Sequence, residues 1–490
     1  MAAALLPFAW AGAPAPRPAP TPPSAVKLVF TGDILLARQV AVEMRFRRAS
    51  PWTQIAPVLH QADWSLGNLE GAVGDAHACL PARRLHDGHP DLSPCFAVAP
   101  SAIAPLRAAG FAAIGIANNH SRDLGAPGVA ATRRALAAAG LEPLAFSNSP
   151  VFVTVKGVTL GLVALDAIPA RDGAQQTIPS PQLARKLRLA RALSNLVVVY
   201  IHWGTELHDW PSGAQQRQAA WLVAQGADLV VGSHPHVVEA PACVQGKPVF
   251  YSLGNLLFDQ KFAATRIGML AVCDIRHHRL ACTARRTAPP AHSFFPAPFG
   301  DDAAADRTLA ACRPRLHPTL EVAGDHLLQA GVTAHGERIL AAAGPGGHRL
   351  WTARPTELLS LEPASFAPAN TPTPPPVLFT LERHPSPLDG EDSVRPYVYQ
   401  LGPAGPIARW RGTALAWPLL DARVLPTAPA TLCALHRTDS FLMPNPKAKG
   451  FRIAAYRWDG FGFAGLHDPA VLAQCRTLLT PEETFPPPLN

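Results

Sequence analysis

The chain has 490 residues, of which 48% are hydrophobic and 16% charged; this is enough apolar material for about two or three folded domains and excludes a disordered chain. The formal net charge of +8 is spread along the sequence without a run of Lys and Arg, which argues against a nucleic-acid partner. A basic surface would suit an anionic polymer or the cell envelope, although abundant Arg in an Ala- and Pro-rich sequence gives the same charge.

The N-terminal segment, residues 1–25, is predicted to be a signal or a Pro-rich tail. Ala2–Ala11 is a short apolar run followed by small residues, which resembles a secretory signal with its cleavage site. No Lys or Arg precedes this run, so a disordered Ala/Pro tail is the alternative. No stretch reaches the roughly 20 apolar residues of a membrane span, and we predict an exported, periplasmic or envelope-associated protein.

From residue 26 to residue 299, apolar strands alternate with helices rich in Ala and Leu. The predicted strands are 26–30, 64–68, 112–116, 151–156, 159–165, 196–201, 228–231 and 248–252. The predicted helices are 51–62, 102–109, 126–139 and 215–225. Because each strand is a nearly continuous apolar run, the pattern indicates a buried sheet with helices on its faces, which is an α/β fold.

The character of the sequence changes near residue 300. Residues 300–380 are rich in Ala and then in Pro, and we predict an irregular connecting region that is partly helical before residue 346. Residues 381–490 are predicted to form a small, mostly β module. Its predicted strands are 396–401, 414–419, 431–436 and 452–458.

The eight cysteines, an even number, fit an oxidising compartment, and none shows the C-x-x-C spacing of a zinc or redox site. Cys79 and Cys95 bracket a polar insert and are predicted to pair. Cys273 and Cys282 flank a predicted hairpin over residues 274–281, while Cys433 and Cys475 both lie in the C-terminal region. Disulfides or inert thiols are the predicted uses.

Five polar clusters stand at strand ends in the first domain, where α/β sheets build their sites. They cover residues 31–33, 67–70, 118–123, 202–206 and 232–236. Together they offer carboxylates, an amide oxygen and imidazoles, which are the ligands of ions such as Zn²⁺, Mn²⁺ or Fe²⁺. Glycines in these clusters are expected to let the chain turn sharply and bring the ligands together.

The pair His234 and His236 is the strongest single signal. Residues two apart in an extended segment point the same way, and Pro235 is expected to keep His234 extended. With His202 at the end of another strand, the pair predicts a metal site. The alternative is that these histidines are structural.

Six segments in this order resemble the CapA family of capsule-synthesis and poly-γ-glutamate biosynthesis proteins, which itself resembles calcineurin-like metallophosphoesterases. The segments are 31–35, 68–71, 118–125, 202–206, 226–236 and 250–259. Each motif alone is weak, but all six occur in order within residues 26–275. The resemblance implies a metallophosphoesterase-like layered α/β sandwich for residues 26–299, with the mostly β C-terminal module as an accessory domain.

The resemblance also implies a site for one or two divalent metal ions, Mn, Zn or Fe. Its implied ligands are Asp33, Glu70, Asn119, His202, His234 and His236. Glu70 would be the metal-bridging acid, and His236 would bind the first metal. Asn119 would bind the second metal, together with His202 and His234.

Two further residues are implied to be catalytic. His120 would be the acid that protonates the leaving group, and Asp123 would hold it in orientation. Glu206 is interpreted as an acid at the rim of the site.

The chain departs from the phosphoesterase pattern at one position. That pattern has Asp-x-His in its first motif, but Leu35 stands at the histidine position after Asp33. The first metal is therefore expected to lack a ligand.

Two functions follow from this resemblance. The chain could be a metal-dependent hydrolase or transferase that acts on an anionic envelope polymer, such as poly-γ-glutamate, or on its precursor. It could also be a non-catalytic accessory that binds this polymer and passes it to membrane synthesis or export partners. An inert α/β scaffold is the third possibility, and the sequence does not decide whether the chain is an enzyme.

Overall fold

The computed structural model describes most of the first 317 residues and shorter stretches of the rest. The described ranges are 25–80, 94–147, 149–170, 172–317, 321–322, 326–332, 338–343, 349–353, 358–366, 377–385, 392–402, 405–411, 415, 417–427, 429–438, 450–459 and 462–479. The predicted N-terminal signal or tail lies outside these residues, apart from Ala25.

The first half of the α/β domain contains six strands and four helices. They are β1 (Val26–Ile34), α1 (Arg38–Arg47), α2 (Ala56–His60), β2 (Trp64–Leu69), β3 (Ala72–Val73), β4 (Ala97–Val98), α3 (Ala104–Ala108), β5 (Ala113–Gly115), α4 (Gly125–Ala138) and β6 (Glu142–Leu144). The helix expected over residues 51–62 is shorter than predicted, because residues 51–55 form turns and the helix begins beside Pro57.

The second half of the domain is richer in strands. Its elements are β7 (Val151–Val155), β8 (Val158–Asp166), α5 (Pro181–Leu193), β9 (Leu196–His202), α6 (Gly213–Ala224), β10 (Leu229–Ser233), β11 (Val238–Glu239), β12 (Ala242–Val244), β13 (Lys247–Phe250), β14 (Ser252–Leu253), β15 (Asn255–Leu257), β16 (Gly268–Arg276), β17 (Arg279–Ala288), β18 (Ala297–Asp301) and α7 (Ala303–Leu309). The expected hairpin is present as β16 and β17.

Two sheets pack face to face with helices outside them, so the predicted layered α/β sandwich is confirmed. The order β18-β17-β16-β1-β2-β5-β6, with β15 beside β1, forms one sheet, and β12-β13-β10-β9-β8-β7 forms the other. Alternate residues of both sheets, such as Phe30 and Val198, share the inner core. The opposite faces pack on helices, as Val29 does with Leu59 of α2 and Val199 with Leu187 of α5.

The central strands of both sheets are parallel, which places their carboxyl ends at one edge. Strands β1, β2 and β5 run parallel in one sheet, and β8, β9, β10 and β13 do so in the other. The Tyr200 hydroxyl donates a hydrogen bond to the Thr31 carbonyl across the two sheets, with a distance of 2.6 Å. The strand ends therefore meet at one cleft, as the polar clusters predicted.

The residues described after 317 lie mainly in antiparallel strands. They are β19 (Glu321–Val322), β20 (His326–Val332), β21 (Arg338–Ala343), β22 (Arg349–Ala353), β23 (Leu358–Ala364), β24 (Val377–Pro385), β25 (Asp392–Gly402), β26 (Gly405–Arg411), β27 (Leu419–Leu425), β28 (Thr431–Arg437), β29 (Phe451–Trp458) and β30 (Phe463–Leu466), followed by α8 (Pro469–Leu479). This confirms a mostly β C-terminal part.

Two expectations for this part were wrong. The strand predicted at 414–419 begins only at Leu419, after Pro418, whose nitrogen cannot donate to a strand partner. Residues 300–380 are not irregular throughout, because they contain α7 and five strands, β19 to β23, together with the start of β24. The domain boundaries near residues 299 and 380 stay predictions.

All eight cysteines form disulfides. Cys79 pairs with Cys95 as predicted, and the hairpin cysteines Cys273 and Cys282 are joined. The C-terminal cysteines Cys433 and Cys475 are also joined, and the fourth bond, Cys243 to Cys312, was not predicted. Among the described residues, no helix has both the length and the apolar character needed to cross a membrane.

Candidate metal centre

The six predicted metal ligands lie together in the cleft where the parallel strands of the two sheets end. Two groups of their side chains have all ligand atoms within 4.8 Å of one another, and Glu70 belongs to both. The first cluster, as we call it, contains Asp33, Glu70 and His236. The second cluster contains Glu70, His202 and His234, and Asn119 lies beside it.

The second cluster is arranged around Nε2 of His202. This atom lies 2.9 Å from Oδ1 of Asn119, 3.1 Å from Nδ1 of His234 and 3.4 Å from Oε1 of Glu70. The other ring nitrogen of His202 is 2.9 Å from the hydroxyl of Ser233 in the neighbouring strand. Ser233 therefore fixes the ring so that Nε2 faces the cluster.

The first cluster is arranged around Nδ1 of His236. This atom lies 3.5 Å from Oδ2 of Asp33, 3.9 Å from Oε2 of Glu70 and 2.9 Å from Oδ1 of Asn255. Asp33 is fixed in turn, because Asn68 donates to its Oδ1 at 2.8 Å and the backbone N–H of His234 donates to its Oδ2 at 3.1 Å.

Glu70 stands between the two clusters. It is fully buried, and neither carboxylate oxygen accepts a hydrogen bond from the residues that the structure describes. A buried carboxylate in this condition costs several kcal/mol unless a cation compensates it. Nitrogen and oxygen donors on both sides of this carboxylate fit a divalent ion, so the residues suit the implied metal.

The clusters perturb the titration of their members. Burial, followed by the nearby charge of Glu70, raises the pKa of Asp33. Burial also tends to raise the pKa of Glu70, but His236 and His202 outweigh it and hold that pKa well below its usual range. Burial, together with His202 and His236, lowers the pKa of His234 well below its usual value, which favours the neutral imidazole that a metal requires.

The expected backbone of the histidine pair was wrong. His234 and His236 have φ angles of 102° and 60°, so neither is extended. Such angles are costly for residues with a side chain, and they persist where surrounding contacts hold them. Strand β10 ends at Ser233, and the backbone N–H of the next residue, His234, donates a hydrogen bond to the Asp33 carboxylate. The side chains still converge, but through a tight turn.

The role expected for the glycines also needs correction at Gly32. This residue lies inside β1 rather than in a turn, and a Cβ there would come within 1.8 Å of the Gly254 carbonyl oxygen. That carbonyl accepts a hydrogen bond from the Asp33 N–H at 3.0 Å. Gly32 therefore permits the close backbone approach that positions Asp33. Gly204, with a φ of 92°, does turn the chain after His202 as expected.

The two residues predicted to be catalytic are in contact. Nδ1 of His120 lies 2.9 Å from Oδ2 of Asp123, which also accepts the N–H of Phe96 at 2.7 Å. The Phe96 ring stacks on the His120 ring with centroids 3.9 Å apart. His120 is thus held on one edge and one face.

Two other residues singled out in the sequence lie outside the clusters. Glu206 is exposed, in agreement with its interpretation as a rim residue. Leu35 is fully buried in the core.

Sequence reasoning missed several residues of the cleft. Asn68 and Asn255 contact the predicted ligands directly, and Asn118 donates to Asn68 at 2.9 Å. Asp166 pairs with His202 in the register of β8 and β9, is buried, and has a pKa raised to about 7 by burial. Asn68, Asn118 and Asn255 occur within the quoted motifs, so their position at strand ends was the available signal.

Comparison with known proteins gives one matching family and several relatives. The family described as bacterial capsule synthesis protein PGA_cap matches residues 27–260, and its fold is metallophosphoesterase-like. Capsule biosynthesis protein CapA of Bacillus anthracis is 27% identical over 272 residues, which are 52% of this chain and 65% of that protein. This chain therefore spans less than two thirds of that relative.

Two other relatives carry related names. PGA biosynthesis protein CapA of Bacillus subtilis (strain 168) is 27% identical over 298 residues, covering 57% of this chain and 75% of that protein. A probable polyglutamine synthesis accessory protein of Mycobacterium tuberculosis is 25% identical over 290 residues, covering 48% of this chain and 75% of that protein. The residues of the two clusters and His120 all lie within residues 27–260, which match the family.

Proposed function

We propose that this chain, which belongs through residues 27–260 to the bacterial capsule synthesis protein PGA_cap family, is a metal-dependent hydrolase. It would act in the synthesis of a capsule polymer such as poly-γ-glutamate. The observation that carries this proposal is Glu70, a buried carboxylate without a hydrogen-bond partner among the described residues, which lies between two sets of metal-ligand atoms.

The proposed ligands are those named from the sequence: Asp33, Glu70, Asn119, His202, His234 and His236. A divalent ion bound there would polarise the carbonyl or phosphoryl oxygen of a substrate. The protein itself supplies the proton. With Nδ1 of His120 donating to Asp123, Nε2 is the atom that can protonate a leaving group, and Phe96 keeps the ring in place.

Charge and disulfides support an anionic polymer in the envelope. A net charge of +8 favours the approach of a polyanion, in which every γ-linked glutamate would carry one carboxylate. Four disulfides persist in oxidising compartments such as the periplasm or the cell surface. We therefore propose an exported, envelope-associated protein.

A second candidate is a non-catalytic accessory that binds the polymer and passes it to membrane partners. The observation that favours it is the name of the Mycobacterium tuberculosis relative, which is described as an accessory protein. Under this candidate the metal clusters would bind carboxylates of the polymer without cleaving it.

Hydrolysis of poly-γ-glutamate by His120→Ala and Asn119→Ala tests the two candidates. If His120 is the proton donor, His120→Ala lowers the rate by about 10²- to 10⁴-fold and keeps its metal. Asn119→Ala is expected to lose activity and to weaken metal binding at the second cluster. His60→Ala, an exposed histidine outside the cleft, is the matched control and keeps full activity. Equal rates in all four proteins would contradict the hydrolase and leave the accessory.

A further inference from the structure

The first cluster lacks one ligand relative to the phosphoesterase pattern. Leu35 occupies the position where a histidine would follow Asp33, and its side chain is buried in the core on the outer face of the sheet. Without another donor, the first cluster offers one carboxylate oxygen of Asp33, one of Glu70 and one nitrogen of His236.

Asn255 is placed to fill this gap. It opens β15, which pairs in parallel with β1 in a register that sets Asn255 opposite Asp33. The residue is 5% exposed, and its Oδ1 lies 2.9 Å from Nδ1 of His236. Its side-chain oxygen therefore reaches the same nitrogen that faces Asp33 and Glu70.

The amide of Asn255 is fixed in this orientation. Its Nδ2 donates to Oε1 of Gln260 and to the backbone carbonyl of Thr265, each at 3.0 Å. An amide nitrogen has two protons to donate, and both are used by these acceptors. The oxygen end must then face the cluster.

The second cluster shows the same arrangement. There the amide oxygen of Asn119 lies 2.9 Å from Nε2 of His202, which is the distance between Asn255 and His236 in the first cluster. Each cluster then has one amide oxygen, one oxygen of Glu70, one histidine nitrogen and one further ligand, which is Asp33 or His234. Four donors are the usual number for a protein-bound zinc ion.

We propose that Asn255 supplies its amide oxygen to a divalent cation in the first cluster, in place of the histidine that Leu35 replaces. This inference rests on the metal centre of the proposed function, but not on hydrolysis. It gives the protein two complete metal positions that share Glu70.

The competing role for Asn255 is to orient His236 by accepting a proton from its Nδ1. In that case His236 would have to bind a metal through its other nitrogen. The structure argues against this, because Nδ1 is the atom that lies 3.5 Å from Asp33 and 3.9 Å from Glu70.

Calorimetric titration of metal-free protein with Zn²⁺ tests the proposal without any substrate. The wild type is expected to bind two equivalents. Asn255→Leu, which removes the donor at similar volume, is expected to keep one tight equivalent and to bind the other at least tenfold more weakly. Asn195→Leu is the matched control, because the Asn195 amide is likewise hydrogen-bonded at both ends, accepting one bond and donating one, but lies at the opposite strand ends. It is expected to bind two equivalents.

A second variant covers the case in which Asn255→Leu does not fold. Asn255→Asp keeps an oxygen in place and changes its charge, so direct ligation predicts a shifted visible absorption spectrum of the Co²⁺-loaded protein. Spectra that superimpose on those of the wild type would overturn the proposal, as would two unweakened equivalents in Asn255→Leu. Neither result depends on whether the protein hydrolyses a polymer.

Discussion

Glu70 is the residue on which the chemistry of the cleft depends most. Its carboxylate is fully buried, and its oxygens face His202 at 3.4 Å and His236 at 3.9 Å. Those contacts are longer than a strong charged hydrogen bond, which is about 2.7–2.9 Å long. A cation between the clusters would compensate the charge.

Glu239 is a buried acid outside the two clusters, and it gives a test of stability against pH. Its Oε2 accepts a hydrogen bond from Gln215 at 2.8 Å, and burial raises its pKa to about 7 from an ordinary value of 4.5. Between pH 4.5 and about 7 the folded protein holds a proton that the unfolded chain has released, so stability falls as pH rises through this window.

Glu239→Gln is therefore expected to leave stability nearly unchanged at about pH 4.5 and to increase it at about pH 8. The gain at the higher pH is at most about 3 kcal/mol, because one unit of pKa corresponds to roughly 1.4 kcal/mol. The free energy of unfolding from urea titrations at both pH values measures it. A difference between variant and wild type that does not change with pH would contradict the raised pKa.

At the residue scale, the sequence predicted which ligands converge but not how. Alternating strands and polar strand ends were enough to bring His202, His234 and Asp33 to one place. The positive φ angles at His234 and His236 depend on a contact with Asp33, which is about 200 residues earlier in the chain, so no local pattern could reveal them. Asn255 was not predicted to be a ligand, because its side-chain oxygen approaches His236 only when β15 pairs with β1.

At the scale of elements, the buried strands were the most predictable feature. Long apolar runs such as β8 and β9 were found within a residue or two of their bounds. Helices were less predictable: α1 is polar and was not predicted, and α5 contains the buried Arg185, which binds Asp421 of β27 at 3.1 Å. Such long-range pairing allows charged residues on a helix to be buried beside its apolar stripe, which in α5 contains Leu183, Leu187, Ala190 and Leu193.

The disulfides allow a comparison between elements. Cys243 and Cys312 are separated by 69 residues and tie β12 to the segment after α7, whereas Cys273 and Cys282 are 9 residues apart across one hairpin. Closing the longer loop restricts the unfolded chain more. Replacing both cysteines with Ala should therefore cost about 4 kcal/mol for the first bond and about 3 kcal/mol for the second. Urea unfolding of the two double variants gives the order, and a larger loss from the hairpin bond would contradict it.

At the scale of the whole molecule, the fold follows from two sheets that are apolar on both faces. Burying both faces of each sheet requires a second sheet on one side and helices on the other, which produces the observed layers. The same arrangement brings the ends of β1, β2, β9 and β10 to one edge, so the site is a consequence of the topology. Some strands after residue 320 were not predicted, as with β21, in which three of the six residues are Ala rather than β-branched residues.

The metal content of the protein, isolated without a His tag, is the measurement that tests the account most directly. After titration with Zn²⁺ or Mn²⁺ and removal of excess ion, the wild type is expected to retain two equivalents. Glu70→Gln, which keeps the size of the side chain and removes the shared charge, is expected to retain less than one. A wild-type protein that binds no divalent ion, or a folded Glu70→Gln variant that keeps both, would contradict a metal centre built around Glu70.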